Sequence, residues 1–125
     1  MSFNRFEDIK AWQKARELVR EAYRNLGKAA DSRDWNFVKQ FTSAAVSVMN
    51  NIAEGFGRMG NREFIRFLII ARGSAVEVQS MTYAAQDLGY LQHEQQTAIY
   101  ELAGEALRLI GGLIRSIEAN DNPRQ

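Results

Sequence analysis

The placement of proline restricts the fold of this chain more than any other sequence feature. The only proline is Pro123, so the first 122 residues contain none. Proline removes a backbone donor and breaks helices, and a long stretch without it can run in long helices. The nine glycines lie mostly near breaks in the apolar pattern, where they suit turns. We therefore expect long helices joined by short turns.

Four stretches carry apolar residues at alternating steps of three and four, the spacing of one helix face. They cover about residues 7–28, 35–54, 61–88 and 94–117, and residues 120–125 follow as a frayed tail. Connections of roughly five to seven residues make each helix antiparallel to its predecessor. A chain of 125 residues can bury one core without disulfides or metals. The prediction is a single all-α domain over residues 1–125, an antiparallel up-down-up-down four-helix bundle.

The composition argues against several classes of function. The chain has no cysteine and one histidine, His93, which leaves no thiolate or histidine pair for a metal site or a nucleophile. The N-terminal sequence lacks the apolar core of a signal peptide, and no apolar run is long enough to cross a membrane. We expect a cytoplasmic protein with no metal, no cofactor, no small-molecule substrate and no membrane partner.

Two motifs could suggest chemistry. The segment from Gly55 to Gly60 matches G-x-G-x-x-G, but a helix precedes it where a dinucleotide site requires a strand, so it is interpreted as a turn. Glu54 and Glu77 lie on adjacent predicted helices and could form a carboxylate pair in a water-filled pocket. Buried acids in bundles are more often structural. The chain is therefore predicted not to be an enzyme.

Arginines recur around the glycine-rich turn. The candidates for nucleic-acid binding are Arg58, Arg62, Arg66 and Arg72. Guanidinium groups and free helix amides can bind phosphate, but a solvated face with Glu63 as a local partner is the plainer interpretation. Lys and Arg number 16 against 15 Asp and Glu, so the net charge of +1 gives no global attraction to nucleic acid.

Polar and aromatic residues supply further candidates. A polar set of Ser47, Asn51 and Glu54 on the second predicted helix faces Ser74 and Glu77 on the third. Polar groups this near a core must be satisfied by each other, by a partner subunit or by a ligand. Trp35 and Phe37 are candidates for exposed aromatic anchors of a subunit interface.

Several of these residues form a recognisable pattern that covers nearly the whole chain. The pattern comprises Ser47-Val-Met-Asn-Asn51-Ile-Ala-Glu-Gly55, Gly57-Arg58, Glu63-Phe-Ile-Arg-Phe67-Leu, Ala71-Arg-Gly73-Ser74-Ala-Val-Glu77 and Leu88-Gly-Tyr90, with Phe6, Trp12 and Ala15 before it. It resembles the bacterial four-helix-bundle family related to the 23S ribosomal RNA intervening-sequence protein. The resemblance implies a bundle that forms homo-oligomeric rings, typically pentamers, and an association with ribosomal RNA. One departure is the segment Gln40-Phe-Thr-Ser43, where the family usually carries basic residues.

Three hypotheses follow. The first is a non-enzymatic bundle that forms a homo-oligomeric ring and docks RNA or a nucleic-acid-handling protein. The second is a purely structural protein-interaction module that binds no nucleic acid, with the arginines engaged only in salt bridges. The third is an enzyme built on the Glu54 and Glu77 carboxylates, which requires a water-filled pocket between the second and third helices.

Overall fold

The structure is a computed structural model that describes residues 3–120. In chain order the elements are a one-turn 3-10 helix Phe6–Asp8, α1 Lys10–Arg24, α2 Gly27–Asp31, α3 Trp35–Gly57, α4 Asn61–Asp87 and α5 His93–Asn120. No strand occurs among these residues, and none of their helices combines the length and the hydropathy that a membrane span requires. The prediction of an all-α protein with four long helices is confirmed.

The four long helices enclose one core. α3 packs against α1 and α4, and α5 packs against α4 and α1, so each long helix has two neighbours. Each contributes side chains with no solvent exposure, such as Leu18, Val48, Val78 and Ile110. Removing this apolar surface from water is the main favourable contribution to folding.

The first helix is shorter than predicted. Ile9 has extended backbone angles and precedes α1, and the helix ends at Arg24 instead of continuing to residue 28. The Asn25 amide donates to the Glu21 carbonyl at 2.8 Å, which satisfies an acceptor that the ending helix leaves open. The apolar pattern nevertheless continues through Ala29, because the separate helix α2 packs on α3. The predicted tail lies outside the described residues, except for Asn120 at the end of α5.

Asp34 fixes the start of α3. Its Oδ1 accepts from the Phe37 backbone amide at 3.1 Å, which makes Asp34 the N-cap. Its Oδ2 accepts from the Tyr90 hydroxyl at 2.6 Å. The Tyr90 hydrogen bond, followed by the Phe37 amide, lowers the pKa of the Asp34 carboxyl below its ordinary value of 3.8. Asp34 therefore joins the beginning of α3 to the turn that follows α4.

An Asp34→Ala variant is expected to have a lower Tm than the wild type at neutral pH, because it loses both hydrogen bonds. Since the folded-state pKa is depressed, this stabilisation is present above the unfolded-state pKa and is lost as the pH falls through the folded-state pKa. The Tm difference should therefore shrink on acidification from pH 7 to about 3. Thermal melts by circular dichroism measure it, with exposed Asp31→Ala as the control. A difference that is constant with pH would contradict the assignment.

Candidate functional site

The glycine-rich segment is mostly helix. Gly55 and Gly57 belong to the last turn of α3, and only residues 58–60 connect α3 to α4. Gly60 has a φ of +92°, a conformation that glycine adopts at little cost. The segment therefore forms a helix end and a tight turn, and α3 stands where a dinucleotide-binding fold has a strand.

Gly55 brings α3 and α4 into close contact. A Cβ built on Gly55 would lie 2.7 Å from Phe67 Cβ and 3.1 Å from Phe64 Cδ1. The first distance is shorter than two carbon atoms tolerate and the second is tight, so the hydrogen at this position is what permits the approach. This contact therefore helps to fix the position of α4 and of its exposed residues beyond Phe67.

Two of the candidate arginines cover Phe67. The guanidinium carbons of Arg58 and Arg66 lie 4.9 and 4.7 Å from the centre of its ring, within the range of cation–π attraction. Phe67 is only 7% exposed. The two arginines thus act as its cover.

The same two arginines are engaged by carboxylates. Arg58 donates to Glu54 at 2.6 Å, and Arg66 donates to both Glu63 oxygens at 3.0 and 3.3 Å. The Arg66 hydrogen bond lowers the pKa of Glu63, and the same bond raises the pKa of Arg66. The expected local partnership with Glu63 is present, and both arginines form ion pairs at the surface, where their side chains are 48% and 56% exposed.

The other two candidates differ. Arg62 and Arg72 are exposed, and in the described part of the chain neither forms an ion pair within 4.0 Å. Both lie on α4, ten residues apart, which corresponds to about 15 Å along the helix. The structure thus divides the four arginines into a paired set and an unpaired set.

Most of the polar set is satisfied internally. Ser47 and Ser74 share a hydrogen bond of 2.8 Å between α3 and α4. The Asn51 amide donates to the Ser47 hydroxyl at 2.9 Å and to the Ser47 carbonyl at 2.8 Å. These three residues therefore connect the two helices through half-buried polar contacts.

The two carboxylates of the set are not brought together. Glu77 lines an open polar groove of about 400 Å³ between α3 and α4, together with Lys39, Ser47 and Ser74. Glu54 is absent from that groove and pairs with Arg58. It lies seven residues beyond Ser47, about 10 Å along α3. Among residues 3–120, moreover, no cluster of three or more His, Asp or Glu could hold a metal ion.

The two aromatic candidates have opposite environments. Trp35 is 59% exposed at the start of α3 and remains available for an interface. Phe37 is 8% exposed and packs against the rings of Phe41 and Tyr90, with centroid distances of 5.3 and 5.2 Å. The prediction that Phe37 is exposed is wrong, because a step of two residues turns the helix by about 200° and carries Phe37 into the core.

Helix α4 has a second apolar face that the sequence analysis missed. Ile69, Val76 and Tyr83 are 47%, 51% and 56% exposed and recur every seven residues. Gly73 and Ser80 lie between them, and the exposed charged residues Arg72 and Glu77 flank this row on either side. We call these five residues the α4 stripe. The seven-residue repeat is visible in the sequence, but the core face of the same helix accounts for the main periodicity and masks it.

The chain is similar to known proteins over most of its length. The sequence model of the family described as "23S rRNA-intervening sequence protein" matches residues 7–112. A crystal structure of a protein with unknown function from the S23 ribosomal protein family of Bacteroides thetaiotaomicron VPI-5482 has a TM-score of 0.76 and 22% sequence identity. The alignment covers 83% of this chain and 97% of that one, and at this identity it concerns the fold. None of the curated proteins matches the chain significantly.

Proposed function

The chain belongs to the 23S rRNA-intervening sequence protein family, and we propose that it works without catalysis, as a homo-oligomeric ring that docks RNA or a nucleic-acid-handling protein. The α4 stripe is the observation that carries the proposal. The unpaired residues Arg62 and Arg72 on the same helix support the proposed docking of nucleic acid. Each part has its own test.

The proposed subunit is an up-down-up-down bundle. Contacts between α3 and α4 support this arrangement, because Phe56 packs on Phe64 near the connecting turn and Ser47 meets Ser74 further from it. Contacts between α4 and α5 show the same progression away from their connecting turn. Gln86 lies against His93, Thr82 against Gln96 and Gln79 against Tyr100. Sequence separation grows with distance from each turn, as it does in antiparallel neighbours.

The α4 stripe supports self-association. An outer helix face of a monomeric bundle is expected to be polar, whereas the row of residues that forms the α4 stripe is apolar or small over two heptads. The Tyr83 ring extends the surface onto α5 by packing edge-on against Tyr100, with centroids 5.7 Å apart. No atom lies within 4 Å of a Cβ built on Gly73, so a second helix could approach closely there. In a ring, the stripe of one subunit would pack on a different surface of the next.

Ile69→Lys combined with Val76→Lys is expected to convert the oligomer into a monomer of 14.2 kDa. Two charges in an apolar interface would remain unpaired and desolvated, which is strongly unfavourable. Light scattering after size-exclusion chromatography measures the mass, and Tyr23→Lys on α1, at a residue 56% exposed, is the matched control. A wild type that is monomeric would refute the ring, and an intact oligomer in the double variant would exclude the α4 interface.

Arg62 and Arg72 support the nucleic-acid part of the proposal. Both are exposed on the helix that carries the α4 stripe, and a closed ring would repeat them once per subunit. Repetition raises the effective concentration of weak phosphate contacts, so binding does not require a high net charge on each chain. Since the net charge is only +1, the electrostatic attraction must come from local cations such as these.

Arg62→Gln with Arg72→Gln is expected to weaken RNA binding and to flatten its dependence on salt, by about one unit of log–log slope for each phosphate that the protein no longer neutralises. Fluorescence anisotropy of labelled RNA across a salt series measures both quantities. The matched control is Arg58→Gln with Arg66→Gln, which removes the same charge from arginines already paired with carboxylates. Equal reductions in the two double variants would contradict the distinction between them.

The alternative is a protein-interaction module without nucleic-acid binding. The ion pairs of Arg58 with Glu54 and of Arg66 with Glu63 favour it, because they show arginines of the motif serving the bundle itself. If the wild-type oligomer retains no RNA at low salt, this alternative is the better description. The enzyme hypothesis has the least support, since Glu54 and Glu77 occupy separate environments.

A further inference from the structure

An apolar pocket of about 340 Å³ lies between the N-terminal segment and α5. Its apolar lining consists of Phe3, Ile9, Ala11, Leu109, Gly112 and Leu113. The volume falls at the lower end of the range of about 300–1,000 Å³ found for small-molecule sites. The pocket is separate from the α4 stripe and from the arginines discussed above, and none of the family-motif polar residues lines it.

The charged residues of this pocket are predominantly cationic. Asp8, Lys10 and Arg108 line it. The Asp8 carboxylate already has a partner in Arg5, with the Arg5 Nε 3.6 Å from the Asp8 Oδ1. Lys10 and Arg108 are exposed, and neither forms an ion pair in the part of the chain that the structure describes. The pocket thus combines an apolar floor with two cations that form no ion pair among the described residues. Arg108 also lines a neighbouring groove, whose acidic residues are Glu101 and Glu105.

Gly112 keeps the floor of the pocket open. A glycine inside a helix is less favourable than residues such as alanine and leucine, and α5 places Gly112 well inside its length. The chain's own packing does not require it, because a Cβ there would meet only the Arg115 guanidinium, at 3.7 Å. The absence of a side chain at Gly112 therefore leaves the apolar space of the pocket free.

We propose that this pocket binds a medium-chain carboxylate, with its alkyl chain on the apolar floor and its carboxylate beside Lys10 and Arg108. An alkyl chain has no polar atoms to satisfy, which suits the apolar part of the lining. A carboxylate supplies the charge that both cations lack. This proposal does not rest on the oligomeric ring or on RNA docking.

Isothermal titration of the full chain with octanoate tests the proposal. Saturable binding is expected, about fifteenfold tighter than that of hexanoate, because each buried CH₂ tightens binding about fourfold. Octanol is expected to bind about threefold more weakly than octanoate at low salt, since it lacks the charge. Arg108→Gln should abolish most of that preference while retaining the dependence on chain length.

Gly112→Leu is expected to eliminate octanoate binding by filling the pocket, and to melt no lower than the wild type, since leucine favours helix. Ala98→Leu, which adds the same side chain at an exposed position of α5, should bind as the wild type does. Absence of saturable binding would overturn the proposal, as would binding unchanged by Gly112→Leu. If Gly112→Leu does not fold, the Arg108→Gln variant decides. The proposal is overturned if that variant still prefers octanoate to octanol as strongly as the wild type does. If the wild type binds no octanoate and Gly112→Leu also loses the oligomer, the proposal is overturned and the pocket is a contact with a neighbouring subunit.

Discussion

Replacing Phe37 by alanine is expected to lower the free energy of unfolding by about 3–5 kcal/mol, the range for large-to-small changes of buried aromatic residues. Phe37 is 8% exposed and lies between the rings of Phe41 and Tyr90. Its removal deletes both ring contacts and leaves a cavity at the point where α3 begins. Because Tyr90 also holds Asp34, loosening this ring disturbs the N-cap as well.

Trp35→Ala provides the control, two residues away on the same helix. Trp35 is 59% exposed, and substitutions at such positions usually change stability by no more than about 0.5 kcal/mol. Urea denaturation of both variants at one protein concentration measures the difference. Similar reductions in the two variants would contradict the burial of Phe37. A change of oligomeric mass in Trp35→Ala alone would assign Trp35 to a subunit interface.

The second large effect is expected for Gly55→Val, which should lower the free energy of unfolding by about 3 kcal/mol through overpacking. A Cβ at this position would approach Phe67 Cβ to 2.7 Å. That atom is bonded directly to the α4 backbone, so no side-chain rotation relieves the overlap and the two helices must move apart. The movement would also disturb the hydrogen bond of 2.8 Å between Ser47 and Ser74.

Gly57→Ala is the matched control in the same turn of helix. A Cβ built there meets no atom within 4 Å. Since alanine has less conformational freedom than glycine in the unfolded chain, this change should raise the free energy of unfolding by about 0.4–1 kcal/mol. The midpoints of denaturant unfolding should therefore shift in opposite directions for the two variants, down for Gly55→Val and up for Gly57→Ala. A Gly55→Val protein as stable as the wild type would show that the helices tolerate separation.

The Gly55 contact gives part of the family motif a structural role. Ser47 bonds to Ser74 across the contact of α3 with α4, Gly55 permits the close approach, and Asn51 bonds to Ser47 within α3. Phe67, whose Cβ faces Gly55, carries Arg58 and Arg66 against its ring. These residues define the position of α4 relative to the bundle. They thereby set where the α4 stripe and the unpaired arginines are presented.

The sequence by itself determined the helical class, the number of long helices and most of the core. These properties depend on local periodicity and on the absence of proline, which act within each segment. The capping role of Asp34 was also predictable, because its spacing to the helix start is local. The periodicity could not separate α1 from α2, since both bury the same continuing apolar pattern.

Only the tertiary structure decided which candidate residues are available to a partner. Phe37 is buried by Tyr90, which lies 53 residues further along the chain. Arg58 and Arg66 meet on the ring of Phe67, while Arg62 and Arg72 stay unpaired within the described residues. Glu54 and Glu77 are separated because Glu54 pairs with Arg58 near the α3–α4 turn, whereas Glu77 lines the groove beside Ser47 and Ser74. Which side chains are buried or paired depends on how the helices pack against each other. The spacing of apolar residues within one helix carries no information about the register of its neighbour.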